Sequence, residues 1–196
     1  MEDKSRKIVF KFDSLLSKIS LNYMHYNNSI IKSTQVPENT DLISGKYEGG
    51  IKIWECDEDL LEFLPSIYND DWKNKNVLDM GCGHGLPGIY LLLKGVNEIC
   101  FQDFNQEVLE QITSNYINQL KQNYGLEFGK KVNYVHGDWG DFKYSKKFNI
   151  IISGDTLYNN SNYEKIYNLL KNYLDKGGEA YFASKRFYYG DRKSVV

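Results

Sequence analysis

A run of glycines directly after an apolar stretch is the strongest chemical signal in this sequence. It reads Val77-Leu-Asp-Met-Gly-Cys-Gly-His-Gly85. The apolar residues before the glycines predict a buried strand, and the apolar run Leu86–Lys94 after them predicts a helix. Glycines let the backbone approach a ligand closely, and the start of a helix offers unpaired N–H groups. The run therefore predicts a cofactor bound at Gly81 and Gly83.

These glycines leave two cofactor classes open. Gly83-His-Gly-Leu-Pro-Gly88 matches the G-x-G-x-x-G pattern of dinucleotide sites, although that match is weak by itself. Asp103 follows at about 20 residues, where a carboxylate accepts the ribose hydroxyls of either class. Asp79 separates the classes, because a carboxylate there suits a sulfonium and an ammonium better than a pyrophosphate. The alternative for Asp79 is a turn cap. We favour S-adenosylmethionine over a nicotinamide dinucleotide.

A third loop carries an acid and an aromatic residue together, in His136-Gly-Asp-Trp-Gly140. Asp138 can accept a hydrogen bond from an exocyclic adenine amine, and Trp139 can offer its face to a purine ring. The alternative is a turn aspartate beside a packed tryptophan. Because this loop follows a predicted strand at the same sheet edge as the other two, we favour the ligand role.

The fourth loop, Ile152-Ser-Gly-Asp-Thr-Leu-Tyr-Asn159, supplies the candidate catalytic residues. Asp155 and Tyr158 are the candidates for contact with a substrate. Considered alone, they would be a helix cap and a half-buried tyrosine. His25, His84 and His136 lack metal-ligand spacing, so no metal is expected.

Short apolar runs alternate with helical patterns from about Val77 onward. The predicted strands are Val77–Met80, Ile99–Phe104, Val132–Val135, Phe148–Ser153 and Glu179–Ser184. Asn105 is the expected cap of the second helix, Ser161 and Glu164 form the expected capping box of the third, and Gly177-Gly178 should close it. Such alternation predicts parallel pairing and right-handed crossovers. The fold class is α/β, a doubly wound Rossmann-like sheet with helices on both faces.

The segment before this sheet lacks the regular alternation of strands and helices. We expect an N-terminal extension over residues 1–40 and a single catalytic domain over 41–196. Within the extension, Lys7–Phe12 alternates like a strand. The acidic run that starts at Asp57 predicts a helix that continues through Leu64.

Composition limits the partners. The net charge is −2, which gives no general reason to expect nucleic acid as the partner. No Asn-Pro-Pro-Tyr motif is present, so no direct nucleic-acid substrate is expected. The three cysteines lack CxxC spacing, and the sequence starts without a signal peptide or a membrane-length apolar run. These features predict a cytoplasmic or nuclear location, with no membrane partner.

Taken together, the motifs resemble the protein-histidine N-methyltransferases that modify ribosomal protein L3, within the wider seven-strand protein methyltransferase group. The similar segments are Thr40–Cys56, the glycine loop, Phe101–Asn105, Gly137–Trp139, Ser153–Asn159 and Lys185–Gly190. The most unusual of them is the run that ends at Cys56, Tyr-Glu-Gly-Gly-x-Lys-Ile-Trp-Glu-Cys. The resemblance implies methylation of a histidine ring nitrogen in a protein substrate, ribosomal protein L3.

The resemblance also implies roles that spacing alone does not reveal. It assigns to the cofactor pocket Trp54, Glu55, Cys56, Gly81, Gln102, Asp103, Gly137, Asp138, Trp139 and Ser153. Such folds have two further strands after the fifth, so we expect this sequence to lack the terminal hairpin. The family more often has glutamate in place of Asp155, whereas Asp-x-x-Tyr is common among related lysine methyltransferases. A lysine acceptor therefore stays open, as does a non-catalytic cofactor-binding relative.

Overall fold

The computed structural model describes residues 46–67, 72–125 and 131–186. Helix α1 spans Glu55–Phe63, and a 3-10 turn follows at Leu64–Ser66. Strand β1 is Asn76–Met80, helix α2 is Leu86–Leu93, and strand β2 is Glu98–Asp103. The predicted helical start at Asp57 lies within α1, two residues after its first residue.

The second half of the described chain repeats the alternation. Helix α3, Gln106–Val108, continues through a π-helical turn at Leu109–Thr113 into α4, Ser114–Tyr124. Strand β3 is Val132–His136, and β4 is Phe148–Gly154. Two 3-10 turns, Trp139–Asp141 and Asn160–Asn162, precede β4 and α5, respectively. Helix α5 is Tyr163–Tyr173 and strand β5 is Leu174–Ala183.

All five described strands are parallel, in the order β3-β2-β1-β4-β5. Val77 of β1 pairs with Ile99 of β2 on one side and with Ile150 of β4 on the other. The central strands are buried on both faces, which is why they consist of almost uninterrupted apolar residues. Helices cover the two faces over separate apolar clusters. The predicted doubly wound α/β sheet is confirmed.

The order in which the strands follow one another along the chain reverses its direction across the sheet at β1. This reversal determines which loops lie next to each other. From β1 the sheet grows outward through β2 and β3, and then on the other side through β4 and β5. The loops that follow β1 and β4 therefore leave from neighbouring strands at the carboxyl edge. In open parallel sheets this switch point is where ligands bind.

Two predicted helix caps are wrong. Asn105 stands at the N-cap of α3 without a capping bond, because its side chain bonds the backbone of Lys46 and Glu48 instead. The predicted capping box of Ser161 also does not form. Asn159 instead accepts the Ser161 N–H at 3.0 Å and caps the 3-10 turn before α5.

The last strand begins earlier than predicted. Helix α5 ends at Tyr173, and β5 starts at once with Leu174, so Gly177 and Gly178 lie inside the strand. Gly177 has φ of 78°, and the pairing with β4 shifts register between Phe148 and Ile150. A glycine with left-handed backbone conformation can occur at a β-bulge as well as at the end of a helix. The sequence alone does not distinguish these two positions.

Several predictions lie outside the described residues. The strand expected at Lys7–Phe12, the proposed extension over residues 1–40 and most of the Lys185–Gly190 segment belong there. The division into extension and domain stays a prediction. Within the described ranges, no helix combines the length and the apolar character needed to cross a membrane.

Candidate functional site

A pocket opens at the carboxyl edge of the sheet, at the switch point beside β1. The loops after β1, β2, β3 and β4 contribute to its wall, as do residues on both sides of the start of α1. The predicted site residues in its wall are Trp54, Gly81, Gly83, Asp103, Gly137, Asp138, Trp139, Asp155 and Tyr158. The structure therefore brings nine of the fourteen predicted site residues together in the wall of one pocket.

Gly81 and Gly83 are required by backbone conformation as well as by space. Their φ angles, 65° and 49°, lie in the left-handed region that side chains disfavour. A Cβ on Gly81 would come within 2.7 Å of the Thr156 side chain, and one on Gly83 within 3.3 Å of the Gly50 carbonyl oxygen. These glycines thus let segments from β4 and from the start of the described chain close around the loop.

Asp103 joins the glycine loop to the end of β2. Its Oδ2 accepts the Gly83 N–H at 2.9 Å, and its Oδ1 accepts the Asn105 N–H at 3.0 Å. Burial raises the pKa of this carboxyl to about 6, against the lowering effect of these backbone donors. Each carboxylate oxygen has a second lone pair, so the group can still accept hydrogen bonds from a ligand.

Gln102 connects loops without lining the pocket. Its Oε1 accepts from the Gly81 N–H at 3.0 Å and from the Trp139 indole N–H at 2.8 Å, and its Nε2 donates to the Gly137 carbonyl at 2.8 Å. The side chain is buried. The resemblance assigns Gln102 to cofactor contact, whereas the structure places it behind the wall as a brace.

Asp138 forms the wall together with a residue that sequence analysis missed. Its Oδ1 accepts the Gly140 N–H at 2.7 Å and caps the 3-10 turn, while its Oδ2 accepts from Lys165 of α5 at 2.6 Å. Burial by itself would raise the pKa of this carboxyl group. The hydrogen bonds from Lys165 and Gly140 have the larger combined effect, and the pKa is lowered.

Asp79 is buried next to the pocket and does not line it. Its Oδ2 accepts the Gly88 N–H at 3.0 Å in the first turn of α2. Burial raises its pKa well above the ordinary value. In this arrangement Asp79 acts as the turn cap that was the alternative to cofactor contact.

The opposite end of the pocket is formed by Asp57 and Asp155. Asp155 has φ of 54°, an unusual value for a non-glycine residue, and its N–H donates to the Ala183 carbonyl at 2.9 Å. The Asp57 carboxyl packs so closely that a Cβ on Gly154 would come within 2.4 Å of it. Burial, followed by the Asp155 charge, raises the pKa of Asp57 to about 7.

Two residues assigned by resemblance beside Trp54 lie outside the wall. Glu55 is exposed and pairs with Lys185 at 2.8 Å. Cys56 is buried, and burial together with the nearby Asp155 raises the pKa of its thiol to about 12. Ser153 is a third residue outside the wall, since its Oγ donates to the Met80 carbonyl at 2.7 Å and ties β4 to β1.

Residues 46–51 form a strap across the pocket that sequence reasoning only partly anticipated. Tyr158 donates a short hydrogen bond to Glu48, and the Trp54 indole N–H donates to the Gly49 carbonyl at 3.0 Å. His84 Nε2 donates to the Ile51 carbonyl at 2.6 Å, and burial lowers the pKa of this histidine to about 4. These bonds and those of Asn105 to Lys46 and Glu48 together hold the strap in place.

Other wall residues were not predicted as site residues. They are Glu48, Gly49, Gly50, Asp57, Phe104, Gly154, Thr156, Asn159, Ser161, Asn162 and Lys165. Several of them lie in the segments that carry the family resemblance. The adjacent glycines of the strap are a further pattern that could have identified part of this set, since paired glycines permit close backbone approach.

The sheet order and the glycine loop at its switch point define a Rossmann-like α/β domain of the methyltransferase type. A solved structure shares this fold with a TM-score of 0.50 at 19% identity, over 63% of this chain and 43% of that chain. It is a putative sarcosine dimethylglycine methyltransferase from Galdieria sulphuraria.

The sequence comparison narrows the class. The chain belongs to the family described as lysine methyltransferase, whose model matches residues 18–194. A histidine protein methyltransferase 1 homologue from Dictyostelium discoideum is 44% identical over 78% of this chain and 48% of its own length. The homologue from Bos taurus is 34% identical over 85% of this chain and 55% of its own length. The chain thus spans about half the length of the curated relatives it matches.

Proposed function

We propose that this chain transfers the methyl group of S-adenosylmethionine to a histidine ring nitrogen of a protein substrate. The observation that carries the proposal is one pocket with two chemically different ends. Asp103 and Trp139 stand at the end near β2 and β3, and Asp57 and Asp155 stand at the end near β4. Similarity to relatives named histidine protein methyltransferases supports the choice of acceptor.

The wall suits a cofactor that carries a nucleoside and positive charge. Asp103 would accept from the ribose hydroxyls, and Trp139, with its indole N–H held by Gln102, would pack against the adenine ring. The acids Glu48, Asp57, Asp138 and Asp155 also line the pocket, against one lysine, Lys165. Such a wall favours a sulfonium with an α-ammonium over a pyrophosphate.

Methyl transfer depends mainly on position. The sulfonium supplies a methyl group whose carbon–sulfur bond breaks as the new carbon–nitrogen bond forms, with the electron pair left on sulfur. A neutral imidazole offers its lone pair near pH 7 without prior deprotonation. The protein must align this nitrogen with the methyl group, and alignment of this kind can lower a barrier by about 7–11 kcal/mol.

The second ring nitrogen carries the proton that must leave. We assign the Asp155 carboxylate, or a backbone carbonyl near it, as acceptor of this N–H, which selects the tautomer and finally removes the proton. The strained φ of 54° at Asp155 fits a residue held in place for such a role. Glu48, Gly49 and Gly50 of the strap line the same pocket and bring a further wall to the reacting groups.

A lysine acceptor is the second candidate. The family description and the Asp155-x-x-Tyr158 spacing both favour it. A lysine must lose a proton first, since its reference pKa is about 10.4. Tyr158 would then form part of a dry channel that disfavours the ammonium form.

The acceptor protein belongs to the same proposal. The resemblance to methyltransferases of ribosomal protein L3 makes that protein the first candidate. The deciding experiment incubates the purified chain with isotopically labelled S-adenosylmethionine and a whole-cell extract, followed by tandem mass spectrometry. Labelled methylhistidine in ribosomal protein L3 is the expected result. Labelled methyllysine without methylhistidine would decide for the second candidate, and no labelled residue of either kind would overturn both.

A further inference from the structure

A lysine is fixed directly behind the acceptor end of the pocket. Lys185, just after β5, lies 2.8 Å from the Glu55 carboxylate and 3.7 Å from the Asp155 carboxylate. Its Nζ also lies 5.0 Å from the centre of the Trp54 ring. About a third of the side chain is exposed, so the ammonium is held between three groups at the pocket margin.

This ammonium stays charged throughout the neutral range. The hydrogen bond to Glu55, which outweighs the opposing effect of burial, raises its pKa above the ordinary value. The charged and titratable groups around it are Glu55 and Cys56 of α1, Asp155 of the loop after β4, and Lys52, whose Nζ lies 4.5 Å from the centre of the Trp54 ring. Asp57 is a further acid beside Asp155 in the wall of the pocket.

The charge balance at this end has a direct consequence for acceptors. A carboxylate at the position of Asp155 would attract a cationic side chain as readily as it accepts an N–H. A fixed cation at 3.7 Å from that carboxylate offsets this attraction. The binding of a neutral imidazole does not depend on this charge balance. A lysine ammonium, in contrast, loses most of its electrostatic attraction to this end of the pocket.

We propose that Lys185 is a specificity-determining residue, which keeps protonated amines out of the acceptor end and leaves it open to neutral imidazole. The residue acts through Asp155 and the Trp54 wall, so it is a positioning residue. This inference rests on the proposed function, because it assumes that the acceptor occupies the end lined by Asp155.

The test compares two small probes of similar shape, one charged and one neutral. Labelled methylhistidine formation in the extract is measured at pH 7 and low salt, with n-butylamine or n-butanol as the competing molecule. Butylamine is an ammonium at this pH. In the wild type, both should inhibit weakly and to the same degree.

Replacing Lys185→Met keeps the aliphatic stem and removes the charge. The inhibition constant of butylamine should fall about tenfold, because the Lys185 ammonium no longer offsets the attraction of the Asp155 carboxylate. That of butanol should not change. Lys185→Arg should behave like the wild type, since it keeps the cation, and Lys171→Met on the outer face of α5 serves as the matched control.

The outcomes separate this inference from the proposed function. Unchanged inhibition by butylamine in a Lys185→Met protein that still forms methylhistidine overturns the inference alone. Absence of methylhistidine in the wild type overturns the proposed function first. Should Lys185→Met not fold, Lys185→Gln removes the charge and keeps a polar end group beside Glu55. That variant should also strengthen inhibition by butylamine, and unchanged inhibition there likewise overturns the inference.

Discussion

Gln102 holds the indole of Trp139 through a hydrogen bond of 2.8 Å, while the same side-chain oxygen accepts the N–H of Gly81 at 3.0 Å. One buried amide thereby couples the loop after β1 to the loop after β3, on either side of its own strand. The coupling predicts that the shape of the pocket depends on a residue outside its wall.

Replacing Gln102→Leu should therefore weaken binding of S-adenosylhomocysteine. The substitution leaves the indole N–H and the Gly81 N–H without their acceptor, and each lost bond typically costs about 0.5–1.5 kcal/mol. We expect affinity to fall about tenfold by calorimetry, with reduced quenching of Trp139 fluorescence on binding. Gln122→Leu, an exposed position of α4, is the matched control. Unchanged affinity would show that Gln102 does not position the ligand.

Asp103→Ala tests the cofactor class. The change removes two acceptor oxygens from the proposed ribose site, at about 1.5–3 kcal/mol for each bond to a charged group. Affinity for S-adenosylhomocysteine should fall at least tenfold, because about 1.4 kcal/mol corresponds to one decade. NAD should not bind to either protein. Tight NAD binding by the wild type, measured in the same calorimeter, would contradict the assignment.

The buried acid Asp57 predicts how stability varies with pH. Its pKa in the folded chain is about 7, above the reference value of 3.8, so the folded state holds this proton more tightly than the unfolded state. From about pH 4 to about pH 7 the unfolded state has lost the proton and the folded state retains it. Stability should therefore decrease as pH rises through this window, by at most about 1.4 kcal/mol per pH unit from this group.

Asp57→Asn imitates the protonated form and should flatten this dependence. Thermal melts between pH 4 and pH 7 measure the effect, with Asp59→Asn in the same helix as the control. A slope that is identical in Asp57→Asn and in the wild type would show that Asp57 does not cause the dependence.

These predictions depend on contacts that sequence reveals to different degrees. The glycine loop and the strands around it were predictable, because glycines, apolar runs and their spacing are local signals. The brace at Gln102 was not, since it needs the relative position of three strand ends. The pair of Asp138 with Lys165 depends likewise on how α5 packs beside the sheet. For Asp79, cofactor contact and capping of a turn were both chemically reasonable from the sequence. The hydrogen bond from the Gly88 N–H, which only the structure reveals, favours the capping role.

Tyr158→Phe tests whether the strap helps to retain the cofactor. The hydroxyl donates to Glu48, and burial together with this carboxylate raises its pKa, so it stays a donor in the neutral range. Loss of the bond should speed dissociation of S-adenosylhomocysteine about fivefold, in line with about 1 kcal/mol for one hydrogen bond. Stopped-flow measurements give the rate, and Tyr167→Phe on the exposed face of α5 is the control. Equal rates in Tyr158→Phe and the wild type would mean that the strap does not depend on this bond.

Asp155→Asn tests the acceptor and the chemistry together. If Asp155 accepts the proton of the second ring nitrogen, the amide should lower turnover far more than it weakens cofactor binding. Wild-type activity should persist near neutral pH and decline as the acceptor imidazole protonates, around its reference pKa of about 6.5. A lysine acceptor would instead favour alkaline conditions, unless burial lowers its pKa. We would measure turnover of the wild type and of Asp155→Asn across pH 5.5–9, in roughly half-unit steps around these reference values. Calorimetry gives the affinity of both proteins for S-adenosylhomocysteine. Equal losses in turnover and affinity would mean that Asp155 shapes the pocket without acting on the acceptor. Activity that rises at high pH and yields labelled methyllysine would show that the acceptor is a lysine.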